Sequence, residues 1–124
     1  KVALGHHLDD MAQTVLMNLA IHGRFEGMAP IRPFFGGEIT VIRPLCETRE
    51  GTIRNFALRM GLPVAQTDCP HRLTNMRRKM KDVIAEMSKI DRLVRENIYS
   101  AQVHSVPFRD SPGRITIEEK LNDR

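Results

Sequence analysis

One stretch near the start of this 124-residue chain restricts its fold more than any other: Leu4-Gly5-His6-His7-Leu8-Asp9-Asp10-Met11-Ala12-Gln13-Thr14. The apolar run Val2-Ala3-Leu4 ends in a glycine, two histidines and two aspartates follow, and apolar residues then recur at helical spacing. That order predicts a strand, a turn and a helix. It places four polar groups at the carboxyl end of a strand, where open α/β sheets bind ligands. Val2-Ala3-Leu4 does not alternate, which predicts a parallel strand covered on both faces. Further strand candidates are few: residues 39–42, 64–65 and 115–117. The chain also opens at Lys1, inside the first predicted strand. The expectation is therefore an α/β fold holding part of a parallel sheet, from the carboxy-terminal part of a longer protein.

After the opening corner, residues 11–21 read as a helix with Ala12, Val15, Leu16 and Leu19 facing the core. Asp9 or Asp10 is the expected N-cap, and Gly23 the stop. Residues 23–37 are rich in Gly and Pro and read as a long loop, with Gly36-Gly37 turning into the strand at 39–42. Thr48 is the expected cap of a second helix, residues 49–60, that buries Ile53, Phe56, Ala57 and Met60; Gly61 and Pro63 end it. A short extended piece, 62–66, leads to a second polar corner, Asp68-Cys69-Pro70-His71-Arg72. Helical stripes follow: Leu73, Met76, Met80, Val83, Ile84 and Met87, then Ile90, Leu93, Val94, Ile98 and Ala101, with a bend near Ser88-Lys89. Periodicity fades after Val103. The expected divisions are a sheet-containing part over 1–68, a basic helical region over 69–103 and a tail over 104–124.

The net charge is +4, a mild excess compatible with a nucleic-acid partner. Its distribution says more. Residues 72–95 hold eight Lys/Arg against three acids, so the remainder of the chain is slightly acidic. The plain reading of such a run is a solvated helix face. The functional one is a phosphate-contacting surface with salt-dependent, sequence-independent binding, using Arg72, Arg77, Arg78, Lys79 and Lys81. No apolar run approaches the roughly 20 residues of a membrane span, so no membrane partner is expected. Two cysteines, Cys46 and Cys69, are too few for a disulfide scaffold; a cytoplasmic setting follows.

A helix N-terminus favours phosphate, and Gly5 lets backbone approach a ligand. His6 and His7 suit contacts to a phosphate or ribose. Asp9 and Asp10 suit Mg²⁺, which binds through one or two carboxylates plus substrate phosphates. The plain alternative is a capped helix with exposed histidines. Cys69, beside His71 and Arg72 and before a basic helix, is placed to favour thiolate, a nucleophile and iron–sulfur ligand; the alternative is a small buried hydrophobe. Cys46 reads as packing.

The run Leu4-Gly5-His6-His7-x-Asp9-Asp10-x-x-Gln13-Thr14 resembles the second motif of the PP-loop ATPases, adenylating enzymes that modify tRNA. The loop Gly27-Met28-x-Pro30, the segment Arg43-Pro44-Leu45 and Cys69 before a basic helix follow in similar order. Together they most resemble the tRNA 2-thiocytidine synthetases and their 2-thiouridine relatives, over residues 2–86. The resemblance implies a partial Rossmann-like, adenine nucleotide alpha hydrolase-like parallel sheet with flanking helices and a C-terminal helical segment. It implies ATP and Mg²⁺ at Gly5, His6, His7, Asp9 and Asp10, with the two aspartates as catalytic candidates. It implies Cys69 as one of three ligands of a 4Fe-4S cluster, tRNA and a sulfur donor as partners, and adenylation of a base carbonyl followed by displacement of AMP by sulfur. The phosphate loop and the other two cysteines of that family lie upstream of its second motif and are absent from these 124 residues, so the chain alone is expected to be inactive. Gln13 replaces the family's usual Glu, and Arg72 stands where the thiocytidine group often has a further cysteine. Rival readings are a tRNA-lysidine synthetase, which needs no thiolate, and a non-catalytic RNA-binding domain. An exposed sheet edge would also favour a homodimer.

Overall fold

The computed structural model describes residues 1–64 and 76–104. Cys69, Arg72, the rest of the second polar corner and the predicted strand at 115–117 lie outside the described residues. The described elements are β1 (Val2–Ala3), α1 (Leu8–His22), β2 (Ile31–Phe34), a 3₁₀ turn (Phe35–Gly37), β3 (Ile39–Ile42), α2 (Glu50–Arg59), α3 (Met76–Met87) and α4 (Val94–His104). A small sheet of order β1-β3-β2 carries flanking helices, a mixed α/β architecture. No helix among the described residues is long and apolar enough to cross a membrane.

β1 runs parallel to β3, with Val2 opposite Val41 and Ala3 opposite Ile42. This is the parallel pairing the apolar run predicts. The predicted double burial is not found: β1 is an edge strand, and Val2 and Ala3 are both exposed because only β3 flanks them among the described residues. A second departure lies in the segment read as a loop. Ile31–Phe34 is a strand, antiparallel to β3 from Ile31 opposite Ile42 to Phe34 opposite Ile39. Pro33 disguises it, yet is tolerated because β2 is the other edge of the sheet.

α1 is the spine of the molecule. It begins at Leu8, earlier than expected, because His7 in extended conformation is its N-cap. Both aspartates therefore lie inside the first turn, where the helix dipole favours them. Gly23 ends the helix as predicted, at φ 62° with its N–H donating to the Asn18 carbonyl. Leu8, Met11, Ala12 and Val15 are fully buried, while the predicted core residue Leu19 is 49% exposed near the free end. One apolar cluster joins Leu8 and Met11 to Cys46, Tyr99 and Met28. A second joins Ala12 to Ile84, Val94, Leu16 and Ile98. α3 and α4 thus share their core with α1, and residues 88–93 form the connection between them, at the place where a bend near Ser88-Lys89 is predicted. Of the predicted α3 stripe only Met80 and Ile84 are buried among the described residues; Met76, Val83 and Met87 are 37%, 42% and 36% exposed.

The glycine of the Gly27-Met28 loop has a packing reason. A Cβ there would stand 2.6 Å from Val15 Cγ2 and 2.8 Å from Gln102 Oε1, so the loop crosses α1 and α4 at glycine distance. α2 departs most from expectation. None of its residues is buried, and Phe56 and Met60 are 59% and 61% exposed. Residues 62–64, part of the predicted extended piece, form no strand.

Candidate nucleotide-site corner

The register of β1 and β3 builds the corner. Ala3 sits opposite Ile42, and Leu4 N–H donates to the Ile42 carbonyl at 2.9 Å. Gly5-His6 and Arg43 therefore leave the sheet side by side, at the carboxyl ends of two parallel strands. Arg43 Nε donates to His6 Nδ1 at 3.1 Å. A guanidinium is never an acceptor, so His6 accepts at Nδ1 and carries its proton on Nε2. The same guanidinium donates through Nη1 to the Ala29 carbonyl at 2.5 Å, and Arg43 N–H donates to the Pro30 carbonyl at 2.8 Å. One side chain thus ties the histidine to the loop that precedes β2.

His7 stands between the two carboxylates. Its Nε2 is 3.3 Å from Asp10 Oδ2 and its Nδ1 is 3.8 Å from Asp9 Oδ2. Nδ1 is buried and makes no hydrogen bond. Asp10 Oδ2 accepts the His7 backbone N–H at 3.1 Å, closing the first turn from its third position rather than from the N-cap.

The adjacent aspartates have different roles. Asp9 is 6% exposed, and both its oxygens are occupied. Oδ1 accepts from Arg95 Nε of α4 at 2.5 Å, and Oδ2 accepts the Glu50 N–H at the first position of α2 at 2.8 Å. Asp9 is therefore the side-chain cap of α2, in place of the expected Thr48; the local N-cap, Arg49, makes no such bond. Burial alone would raise the Asp9 carboxyl, but the Glu50 amide, Arg95 and His7 outweigh it and hold the group below its usual range. Arg95 also donates to Ser88 Oγ at 2.9 Å. Asp10, with its side chain 26% exposed, keeps solvent access.

Ion pairs extend this junction. Glu50 accepts from Lys81 Nζ at 2.6 Å and lies 3.3 Å from Arg54 Nη2. The Lys81 ammonium, chiefly, lowers the Glu50 carboxyl. Arg49 donates to Glu96 at 2.6 Å and to the Arg92 carbonyl at 2.8 Å, which lowers Glu96 in turn. Of the basic residues singled out in the sequence, Arg78 and Lys79 are exposed on α3, Arg77 is half-buried, and Lys81 is held by Glu50. Cys46 is buried and accepts from the Tyr99 hydroxyl at 3.6 Å, the packing role expected of it. Among the described residues no three His, Cys, Asp or Glu side chains converge as a metal cage.

Arg43, Glu50 and Arg95 are the partners that sequence reasoning did not assign to the corner. Arg43 had a signal, since Arg43-Pro44-Leu45 closes a predicted strand and belongs to the segments that carry the family resemblance. Arg95 had none beyond its charge, being 86 positions from Asp9.

No family model matches the chain. Individual proteins do. The tRNA-cytidine(32) 2-sulfurtransferase of Anaeromyxobacter sp. (strain Fw109-5) is 37% identical over 108 residues, covering 86% of this chain and 36% of that protein. The enzyme of the same name from Geobacter sulfurreducens is 40% identical over 103 residues, covering 82% of this chain and 40% of that protein. This chain therefore spans well under half the length of the curated relatives it matches. Among solved structures, the U34-tRNA thiolase NcsA from Methanococcus maripaludis, determined with its 4Fe-4S cluster, superposes with a TM-score of 0.66 at 24% identity, over 82% of this chain and 34% of that one. Over more than four-fifths of its length the chain is thus homologous to a segment of the tRNA-cytidine(32) 2-sulfurtransferases, and it shares its fold with part of a tRNA thiolase.

Proposed function

We propose that this chain supplies one wall of the nucleotide site, and part of the RNA-binding surface, of an ATP-dependent tRNA thiolase. The observation that carries the reading is the 37–40% identity to tRNA-cytidine(32) 2-sulfurtransferases. The corner's geometry supports it. A helix N-terminus offers N–H donors and positive potential to phosphate, and the space beside Gly5 is open, with nothing within 4 Å of a Cβ built there. His6, its Nδ1 engaged by Arg43, has Nε2–H left to donate to a ribose or phosphate oxygen. His7 follows His6 on the same turn, at the N-cap of α1. Mg²⁺ needs few protein ligands when substrate phosphates complete its shell, and the accessible Asp10 suits that role. Asp9, tied to Arg95 and Glu50, serves by holding His7 and the start of α2 in place.

In this reading the target base's carbonyl oxygen attacks the α-phosphorus of ATP and pyrophosphate leaves. A sulfur nucleophile then adds to the same carbon and AMP departs with the oxygen, so oxygen is exchanged for sulfur. A 4Fe-4S cluster, when bound, supplies an iron site that carries sulfur. Cys69 is the thiolate this chain would contribute, since Cys46 is packed against Tyr99; a three-cysteine cluster draws its other ligands from outside these 124 residues. Arg72, Arg77, Arg78, Lys79 and Lys81 are assigned to the tRNA backbone. The region over 69–103 then acts as an RNA-facing layer built onto the nucleotide-site part.

The test uses the natural protein containing this chain, handled anaerobically with ATP, iron, sulfide and tRNA, with nucleosides read by mass spectrometry. Thiolated cytidine and an equal yield of AMP are expected, and His6→Ala and Asp10→Asn should each slow the reaction on the order of 100-fold. Lysidine in place of a thionucleoside, or tRNA binding without AMP release, would sink the reading.

A further inference from the structure

β2, the turn and β3 form a hairpin whose tip carries three side chains of related chemistry. Arg32 and Phe34 are two residues apart on a strand and project from one face. The Arg32 guanidinium carbon lies 5.3 Å from the Phe34 ring centroid. The Phe35 ring follows, its centroid 6.5 Å from that of Phe34 and tilted by 43°. Phe35 is 74% exposed. It also holds φ at 52°, in the left-handed region, just before Gly36 at φ 67° and Gly37 at φ 100°. Glycine or asparagine would occupy position 35 at lower cost. An exposed phenylalanine there weakens the folded state through backbone strain and gains little from burial in return. Strain of this kind gathers where ligands are held.

Aromatic faces and a guanidinium plane together match an unpaired nucleobase, which stacks on both. The Arg32 charge suits the phosphate beside that base. The hairpin's root is fixed by Arg43, whose backbone and guanidinium bond Pro30 and Ala29 and whose Nε bonds His6. A strand of four residues sets the tip roughly 14 Å from that root. We propose that Arg32, Phe34 and Phe35 form a stacking platform for an unpaired base of the RNA substrate, a short way along the strand from the base presented to the His6–Asp10 corner. The proposal rests on the tRNA-thiolase reading and adds to it the part of the chain that grips single-stranded RNA.

The test compares the natural protein with its Phe35→Gly and Phe34→Leu variants, binding a stem-loop RNA with an unpaired loop and a fully paired duplex of the same composition. Fluorescence anisotropy reads affinity, and a thermal melt reads folding. Phe35→Gly should melt at the same or a higher temperature, because the strained position is relieved. It should bind the stem-loop about tenfold more weakly and the duplex as before; Phe34→Leu should show a smaller loss of the same kind. Unchanged stem-loop affinity in Phe35→Gly overturns the platform. A lower melting temperature also overturns it, by showing that the ring packs against protein. Wild-type protein that binds neither RNA overturns the thiolase reading itself, so the two failures are distinguishable.

Discussion

α1 and α2 both start at the polar corner and both use Asp9, yet they are held in different ways. The first half of α1 is buried on nearly every side, with Leu8, Met11, Ala12 and Val15 at 1% exposure or less. α2 buries no residue. Its attachment among the described residues is electrostatic: the Asp9 carboxylate on the Glu50 amide, Lys81 on Glu50, and Arg49 on Glu96. Amphipathic spacing is shared by both helices, so spacing by itself does not decide burial. What separates them is the partner: two apolar clusters converge on α1, and charged side chains reach α2.

Changes at four positions, Asp9, Gly27, Glu50 and Phe56, sharpen or break that contrast. Asp9→Ala should be the most damaging, because it leaves Arg95 without its carboxylate and the Glu50 amide uncapped. Removing one partner of a buried pair costs about 3–5 kcal/mol, measurable by chemical denaturation, and adding Arg95→Met should restore much of it. A pair that behaves additively would mean that the two residues are not coupled. The same junction predicts acid sensitivity. Asp9, Glu50 and Glu96 are all lowered from their ordinary values. Their contribution is therefore complete above about pH 5, beyond the unfolded-state values, and is lost progressively as pH falls through the lowered folded-state values. Asp9→Asn should make the acid side of a stability–pH curve shallower; an unchanged curve would place the acid-labile groups elsewhere.

Next in size is Gly27→Ala, which forces a methyl against the β-branched, buried Val15. Overpacking of this kind costs about 1–3 kcal/mol, and a neutral result would show that the loop moves freely over α1. Glu50→Gln removes a partly exposed pair and should cost only about 0.2–1 kcal/mol. Phe56→Ser on the outer face of α2 should fall within about 0.5 kcal/mol of wild type. A clearly larger loss would reveal that α2 has an apolar partner beyond the described residues.

The strand–turn–helix order was legible because glycine, paired polar residues and helical spacing each carry a local meaning. β3, the bend between α3 and α4, and the stop at Gly23 were legible for the same reason. β2 was not, because Pro33 argues against a strand unless the strand is known to be an edge, and edges are set by tertiary pairing. Thr48 was a sound cap by residue type, but a carboxylate from α1 took the position. The pairing of Asp9 with Arg95 was invisible, since charge runs name no partner. At the candidate site, His6, His7 and Asp10 could be read as neighbours. The split between a buried, committed Asp9 and an accessible Asp10 could not, because the two residues are chemically identical and differ only in which side of α1 they occupy.

The bond between Asp9 and Arg95 spans 86 positions, and that span has a consequence for the order of events in synthesis. Contacts so distant in sequence are slow to form, because loop-closure entropy opposes them before they give anything back. The histidine corner emerges from the ribosome first, yet the guanidinium that fixes Asp9 emerges only when α4 is made. Until then the start of α1 has its shape from local capping but not its anchor. A corner completed only by α4 leaves a chain truncated before Arg95 without the clamp that holds Asp9 and, through it, the start of α2.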